Sequence, residues 1–215
     1  MKPLKFLLIV SATLFGVALL GFVLPKDYVV ERTVRVDAPP IIAFAQVNDL
    51  SKWEQWLPWK KLDPEMTISF GSKTVGDGAS FSWTGEQYGS GSLTVVESAL
   101  GERIDTTVDF GDRGQGSGYW KFEKDGSGSR VTWGLEGRSV GALGGWFALF
   151  ANRMVGPEFE SGLDGIKEMA EAEAKLKPVI GSALEQVLEE AGQDAGNAFE
   201  AFGRAIGEAA RGSGK

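Results

Sequence analysis

Two residue types are missing altogether: none of the 215 positions is cysteine or histidine. Without cysteine there is no disulfide, no thiolate nucleophile, no zinc–cysteine site and no iron–sulfur cluster. Without histidine the chain lacks the commonest general base and the commonest metal ligand. Catalysis would fall to Asp, Glu, Lys, Arg, Tyr, Ser or Thr, and no pair of carboxylates stands out, so no catalytic residue, metal site or cofactor is expected. Basic runs are also lacking. The net charge is −7 and the longest basic cluster is Lys60-Lys61, whereas a phosphate backbone demands a Lys/Arg footprint. Nucleic acid is therefore not an expected partner. Gly76-Asp77-Gly78 and Gly89-Ser90-Gly91 are not followed by helices, so neither offers the helix N-terminus of a phosphate loop. They read as a turn and as a close approach within a strand.

What is present begins with an uncharged stretch over residues 6–24, roughly 19 residues, close to the ~20 that cross a bilayer core as a helix. Lys2 and Lys5 precede it and Pro25-Lys26-Asp27 ends it. Signal peptides have shorter apolar cores and a small-x-small cleavage site; here the run is longer and exits through Gly21-Phe22-Val23-Leu24. A core helix is rarely so uniformly apolar. The expectation is an uncleaved single-pass anchor over residues 1–27. Its flanking lysines predict a cytoplasmic N-terminus and a body on the translocated, extracytoplasmic side.

Beyond the anchor the period changes. Residues 28–36 alternate and are rich in valine, a strand signal. Residues 41–49 carry apolar positions at helical spacing behind Pro40, and Trp53, Trp56 and Trp59 follow at intervals of three. Strands are expected over 66–70, 79–83, 90–97, 104–110, 118–122 and 130–135, separated by Gly-rich or polar turns. Alternate residues place Ala79, Phe81 and Trp83 on one face, with Gly91, Leu93 and Val95. Ile104, Thr106, Val108 and Phe110 join them, as do Gly118, Trp120 and Phe122, and Val131, Trp133 and Leu135. The opposite positions, Ser80, Asp105, Thr107, Lys121 and Thr132 among them, are polar, as expected for an antiparallel sheet covered on one side. The cover is a helix over 144–176, expected to break at Pro157, whose inner stripe is Phe159, Leu163, Ile166 and Met169. Residues 177–215 are rich in Gly, Ala and Glu and read as a marginal helix or a disordered tail. Arg32 and Arg103 are expected in salt bridges, Asp49 in a cap and Asp63 in a turn.

The order strand, short helices, long meander and long C-terminal helix is that of the helix-grip architecture. Four segments match it in sequence: Val36-Asp37-Ala38-Pro39-Pro40; Asn48-Asp49 with Trp53, Trp56, Pro58, Trp59, Asp63 and Pro64; Gly76-Asp77-Gly78-Ala79 with Trp83, Gly85, Gly89, Gly91, Glu97 and Ser98; and Gly156-Pro157-Glu158-Phe159. On these the chain over about 29–174 resembles the SRPBCC superfamily, which includes START-like lipid-transfer domains and polyketide cyclase/dehydrase-like proteins. It looks most similar to bacterial members that carry an N-terminal membrane helix.

The resemblance implies an α+β domain over residues 28–176: a curved antiparallel sheet gripping the long helix, with a hydrophobic cavity between them. It implies a lipid or other small hydrophobic molecule as partner. The candidate lining is Trp53, Trp56, Trp59, Phe81, Trp83, Leu93, Phe110, Trp120, Phe122, Trp133, Phe159, Leu163 and Ile166. Two other readings stand beside the ligand binder: a cyclase/dehydrase-like enzyme, and a structural or interaction module whose interior is solid.

Overall fold

Strand-forming alternation leaves the backbone N–H and C=O groups of each strand unpaired until a neighbour arrives, and here the strands find one another in one sheet. A computed structural model of the chain describes residues 3–191 and Arg204. Its strands are β1 (Asp27–Val36), β2 (Thr67–Phe70), β3 (Ser80–Gly85), β4 (Gly89–Ala99), β5 (Arg103–Asp109), β6 (Gln115–Asp125) and β7 (Gly128–Arg138). They form a seven-stranded sheet in the order β1-β7-β6-β5-β4-β3-β2, antiparallel throughout. The first strand thus returns beside the last, in register from Asp27↔Arg138 to Val36↔Ser129. A register shift between Val95 and Glu97 marks a bulge in β4, a device that sharpens local twist and bend.

The expected inner face is the buried one. Ala79, Phe81, Trp83, Leu93, Val95, Ile104, Val108, Trp120, Phe122, Val131, Trp133 and Leu135 are all buried. One expected wet position is not wet. Thr132 is buried, its hydroxyl 2.9 Å from that of Thr33 on the paired strand. Thr132 stands on an interior strand between Thr33 of β1 and Lys121 of β6, a placement that alternation alone does not convey.

Between β1 and β2 the chain folds into α2 (Pro40–Asn48), a single 3-10 turn (Leu50–Lys52), α3 (Trp53–Trp56) and α4 (Pro58–Leu62). Proline opens α2 and α4, where its missing N–H costs nothing. Asp49 accepts the backbone N–H of Ser51 at 3.0 Å, capping the turn as expected. Asp63 is buried and accepts the N–H of Gln87 at 2.9 Å.

The long helix α5 runs from Gly144 to Ala191 with Pro157 and Pro178 inside it. This corrects the expected interruption at Pro157. An internal proline removes one helix hydrogen bond and crowds the preceding turn, but Arg32 of β1 grips that turn from outside. Its guanidinium donates to the Asn152 side chain at 2.6 Å, to the Asn152 carbonyl at 3.1 Å and to Glu160 at 2.6 Å. It lies flat against Gly156, where any side chain would collide with it. Further along, Gln46 of α2 donates to Glu173 at 2.5 Å. Burial tends to raise the Glu173 carboxyl, but the bonds from Lys177 and Gln46 outweigh it and hold the group below the usual carboxylate range. Of the tail, α5 includes the backbone to Ala191; Phe199, Phe202 and Ile206 lie outside the described residues.

At the other end, α1 (Pro3–Val23) stands away from the sheet. Its segment Lys5–Val23 is long and apolar enough to cross a membrane and is almost wholly exposed. Only its last turns touch the domain. The indole N–H of Trp146 donates to the Val17 carbonyl at 2.9 Å, and Gly21 and Gly145 let α1 and the start of α5 approach closely.

Candidate functional site

The apolar inner face and the Phe159 stripe of α5 meet around a core of stacked rings. Trp133 is sandwiched. Phe159 lies parallel to it on one side, with centroids 3.8 Å apart and planes 6° apart, and Trp120 stacks on the other at 4.4 Å and 18°. Trp53 and Trp56 meet Trp120 edge-on at 6.0 and 5.7 Å. Between the rings remains a void of about 20 Å³. That is enough for one water, which needs roughly 10–15 Å³ of such space, and far below the roughly 300–1,000 Å³ of ordinary small-molecule sites.

The void gathers most of the sequence candidates. Trp53, Trp59, Phe81, Trp83, Leu93, Phe110, Trp120, Trp133 and Phe159 line it. Trp56, Phe122, Leu163 and Ile166 are buried but stand behind it. Trp56 braces the stack from the rear, and Phe122 packs edge-on against Phe44 at 5.4 Å. Four lining residues escaped the candidate set: Thr106, Val108, Gly118 and Leu135. All four fall on the face that alternation assigns inward, so the signal for them is present in the sequence.

The lining is apolar except for one hydroxyl, and no titratable side chain belongs to it. Its polarity lies in donors. Of the seven tryptophans, four donate their indole N–H to the protein: Trp53 to the Val47 carbonyl, Trp56 to that of Gln46, Trp59 to Glu158 and Trp146 to Val17. The indoles of Trp83, Trp120 and Trp133 have no acceptor among the described residues, and all three line the void. So does Thr106, whose hydroxyl sits over the bare Cα of Gly118. Among the described residues the one buried side-chain nitrogen or oxygen without a partner is the Ser129 hydroxyl. The free N–H groups of Trp83, Trp120 and Trp133 are therefore not sealed in but border accessible space, whereas a tryptophan in a solid core usually finds an acceptor.

At the rim, Glu158 of α5 accepts from the Trp59 indole at 2.5 Å and from the Tyr88 hydroxyl at 2.9 Å. Desolvation, followed by the hydrogen bond and charge of Glu158, pushes the Tyr88 phenol far above its ordinary range. Arg113 donates to the Tyr88 carbonyl. Trp59, Tyr88 and Phe110 are only partly buried, so this rim is the least covered part of the enclosure.

Arg32 and Arg103 are salt-bridged as expected, Arg32 to Glu160 and Arg103 to Asp105, each at 2.6 Å. A far larger concavity, about 790 Å³, lies on the opposite face of the sheet. It is an open trough lined by Asp27, Ser92, Thr107, Asp109, Gln115 and Glu136, among others. Its open polar surface offers none of the enclosure that captures an apolar molecule.

The fold has many counterparts among solved structures. The di-domain ARO/CYC StfQ from the steffimycin biosynthetic pathway superposes with a TM-score of 0.55 at 14% identity, over 69% of this chain and 52% of that one. A point mutant of norcoclaurine synthase from Thalictrum flavum, in complex with a transition-state analogue, gives 0.52 at 11% identity, over 67% of this chain and 94% of that one. A protein from Thermus thermophilus gives 0.50 at 20% identity, over 68% of this chain and 99% of that one. At such identities the likeness shows the fold alone. No curated protein sequence matches the chain. The family model described as polyketide cyclase / dehydrase and lipid transport, however, matches residues 28–171. The chain therefore belongs to the polyketide cyclase/dehydrase and lipid transport family, within the SRPBCC superfamily.

Proposed function

We propose that this protein is a membrane-tethered binding domain for a small apolar molecule that carries a hydrogen-bond acceptor, such as a carbonyl. The observation that carries the reading is the set of unpaired donors, the indoles of Trp83, Trp120 and Trp133 with the Thr106 hydroxyl, around one aromatic-lined void. Burial of apolar surface supplies affinity at roughly 25 cal/mol per Å², and the donors orient the acceptor. In the described state the void holds no more than a water-sized guest. Binding therefore requires the partly buried rim of Trp59, Tyr88 and Phe110 to swing outward. The tether is α1, which by the positive-inside rule leaves Lys2 and Lys5 in the cytoplasm and the domain on the translocated side. Tethering raises the domain's effective concentration at the lipid surface.

A second reading, a structural or interaction module with a solid interior, is favoured by the smallness of the void and the close Trp133–Phe159 stack. One comparison separates the two. The full chain and its Gly118→Ala variant, whose new Cβ would collide with the Thr106 hydroxyl and displace it, are extracted from their membranes in polymer-bounded lipid discs. Their bound small molecules are then compared by mass spectrometry. The binding reading expects an apolar, acceptor-bearing molecule retained by the wild type and depleted in the variant. Identical small-molecule content in the two would support the solid module instead.

A further inference from the structure

Outside α1, exposed large apolar side chains are scattered singly, which is ordinary for a protein surface, except over residues 140–154. There Val140, Leu143, Leu149, Phe150 and Met154 gather. Leu149, Phe150 and Met154 are 60%, 47% and 59% exposed although they sit on a helix that elsewhere covers the core. Trp146, Leu149, Phe150 and Arg153 follow one another at the i, i+3, i+4, i+7 spacing of a single helix face. This face is continuous with the contact to α1, because Trp146 donates to the carbonyl of Val17 and Gly145 packs on Leu24. Val17 lies six residues before the end of the span at Val23, or about 9 Å below it along the helix. Amphipathic helices that lie in a membrane interface sink roughly 5–10 Å. An apolar face ending in a cation is also the pattern that lets an arginine reach headgroups.

The register of the sheet adds a direction. Asp27, the first residue of β1, pairs with Arg138. The same end of the sheet carries Gly116, Asp109, Ser92 and the Trp83↔Gly91 pair. Trp83, Val108 and Leu135, the least covered of the fully buried lining residues, and the partly buried Phe110 therefore lie at the α1 end. The opposite end, around Val36, Phe122 and Val131, is closed by Phe44 of α2. Glu158 of the rim is four residues beyond Met154 on α5.

We infer that residues 146–154 of α5 lie in the interfacial layer of the membrane that α1 crosses, and that the rim of the cleft faces that lipid surface. An apolar molecule then passes between bilayer and cleft without crossing bulk water. The inference rests on α1 being a membrane anchor, and its test keeps the two apart.

Because the chain has no cysteine, single cysteines can be placed at will. The full chain is made as Leu149→Cys, Phe150→Cys and Met154→Cys, with Leu14→Cys in α1 and Leu100→Cys as references. Leu100 is 77% exposed in the β4–β5 turn, at the end of the sheet away from α1. Each variant carries a polarity-sensitive fluorophore in phosphatidylcholine nanodiscs, and a nitroxide on the lipid acyl chain serves as quencher. The expected result is blue-shifted emission and several-fold stronger quenching at 149, 150 and 154, as at 14, with 100 remaining wet. If 149, 150 and 154 match Leu100 while 14 is lipid-quenched, the inference is overturned and the anchor stands. If 14 is wet as well, anchor and inference fall together.

Discussion

Replacing Phe159 by alanine separates a solid interior from a hollow one. Phe159 is almost fully buried and lies flat on Trp133 at 3.8 Å, one residue beyond the rim carboxylate Glu158. Its ring is one wall of a void of only about 20 Å³, so little slack exists for its neighbours to collapse into. Truncating a buried phenylalanine costs about 3–5 kcal/mol where the surroundings cannot relax. For a domain of this size each kcal/mol moves the melting temperature by about 2–4 °C, so the expected fall is roughly 6–20 °C. Phe159→Leu keeps most of the volume and loses mainly the ring contact, about 0.5–1.5 kcal/mol beyond area burial. The assay is thermal melting of the full chain in nanodiscs followed by near-ultraviolet circular dichroism, which reports the stacked indoles. A benzene-sized apolar probe should recover part of the loss in Phe159→Ala by filling the new space, and should do less for the wild type. A loss below about 1 kcal/mol on Phe159→Ala would refute the reasoning, because it would mean that the ring borders open space already.

Other consequences follow from the same contacts. All three tyrosines are held above their ordinary pKa of 10.0: Tyr28 by burial, Tyr88 by desolvation and Glu158, and Tyr119 by desolvation and Glu31, the last pushed up to about 12. A raised folded-state pKa gives stability that is complete below the unfolded value and lost as pH rises through the folded one. Stability should therefore hold to pH 10 and fall from there through about 12, and phenolate absorbance should appear at pH 10 only in the denatured chain. Half-ionised tyrosine at pH 10 in the folded protein would contradict this. Gly165→Ala should destabilise by about 1–3 kcal/mol in chemical unfolding despite its better helix propensity, because the new Cβ would sit 2.8 Å from that of Trp56 and close to its backbone. A stabilised variant would show that α5 and α3 are loosely packed. Ser129→Ala removes the one buried side-chain oxygen without a partner among the described residues, so unfolding should show unchanged or higher stability, by up to about 1 kcal/mol; a clear loss would mean that the hydroxyl is bonded. Arg32→Met should cost about 1–2 kcal/mol by freeing the turn around Pro157, more than Glu160→Gln, whose exposed pairing is worth under about 1 kcal/mol. Equal costs would show that the ion pair, rather than the grip on Asn152, is what matters.

The fold was legible in the sequence because its signals are local. Alternation over β3 to β7 assigns each side chain to a face without knowledge of the partner strand, and Gly76 and Gly78, both at positive φ, mark a turn through backbone geometry alone. Pro157 sits in an unbroken helix that is clasped from far away in sequence: Arg32, more than a hundred residues earlier, bonds Asn152 and Glu160 on either side of the proline. The candidate site was legible as a set of inward rings, yet its decisive features were not. The volume left between Trp133, Trp120 and Phe159 depends on how flat those rings lie against each other. Whether Trp83 or Trp53 has a spare N–H depends on whether a helix carbonyl such as that of Val47 is within reach. Neither property is written in spacing.

The binding account comes down to three indole protons. With the full chain labelled with nitrogen-15 at tryptophan and held in phosphatidylcholine nanodiscs, the indole resonances can be followed by NMR while methyl nonyl ketone or undecane is added. The account predicts downfield movement of the Trp83, Trp120 and Trp133 signals with the ketone, weaker change with the alkane, and still signals from Trp53 and Trp56. If all indole signals stay fixed as the ketone saturates the discs, the interior is closed to such guests and the protein is not a carrier of them.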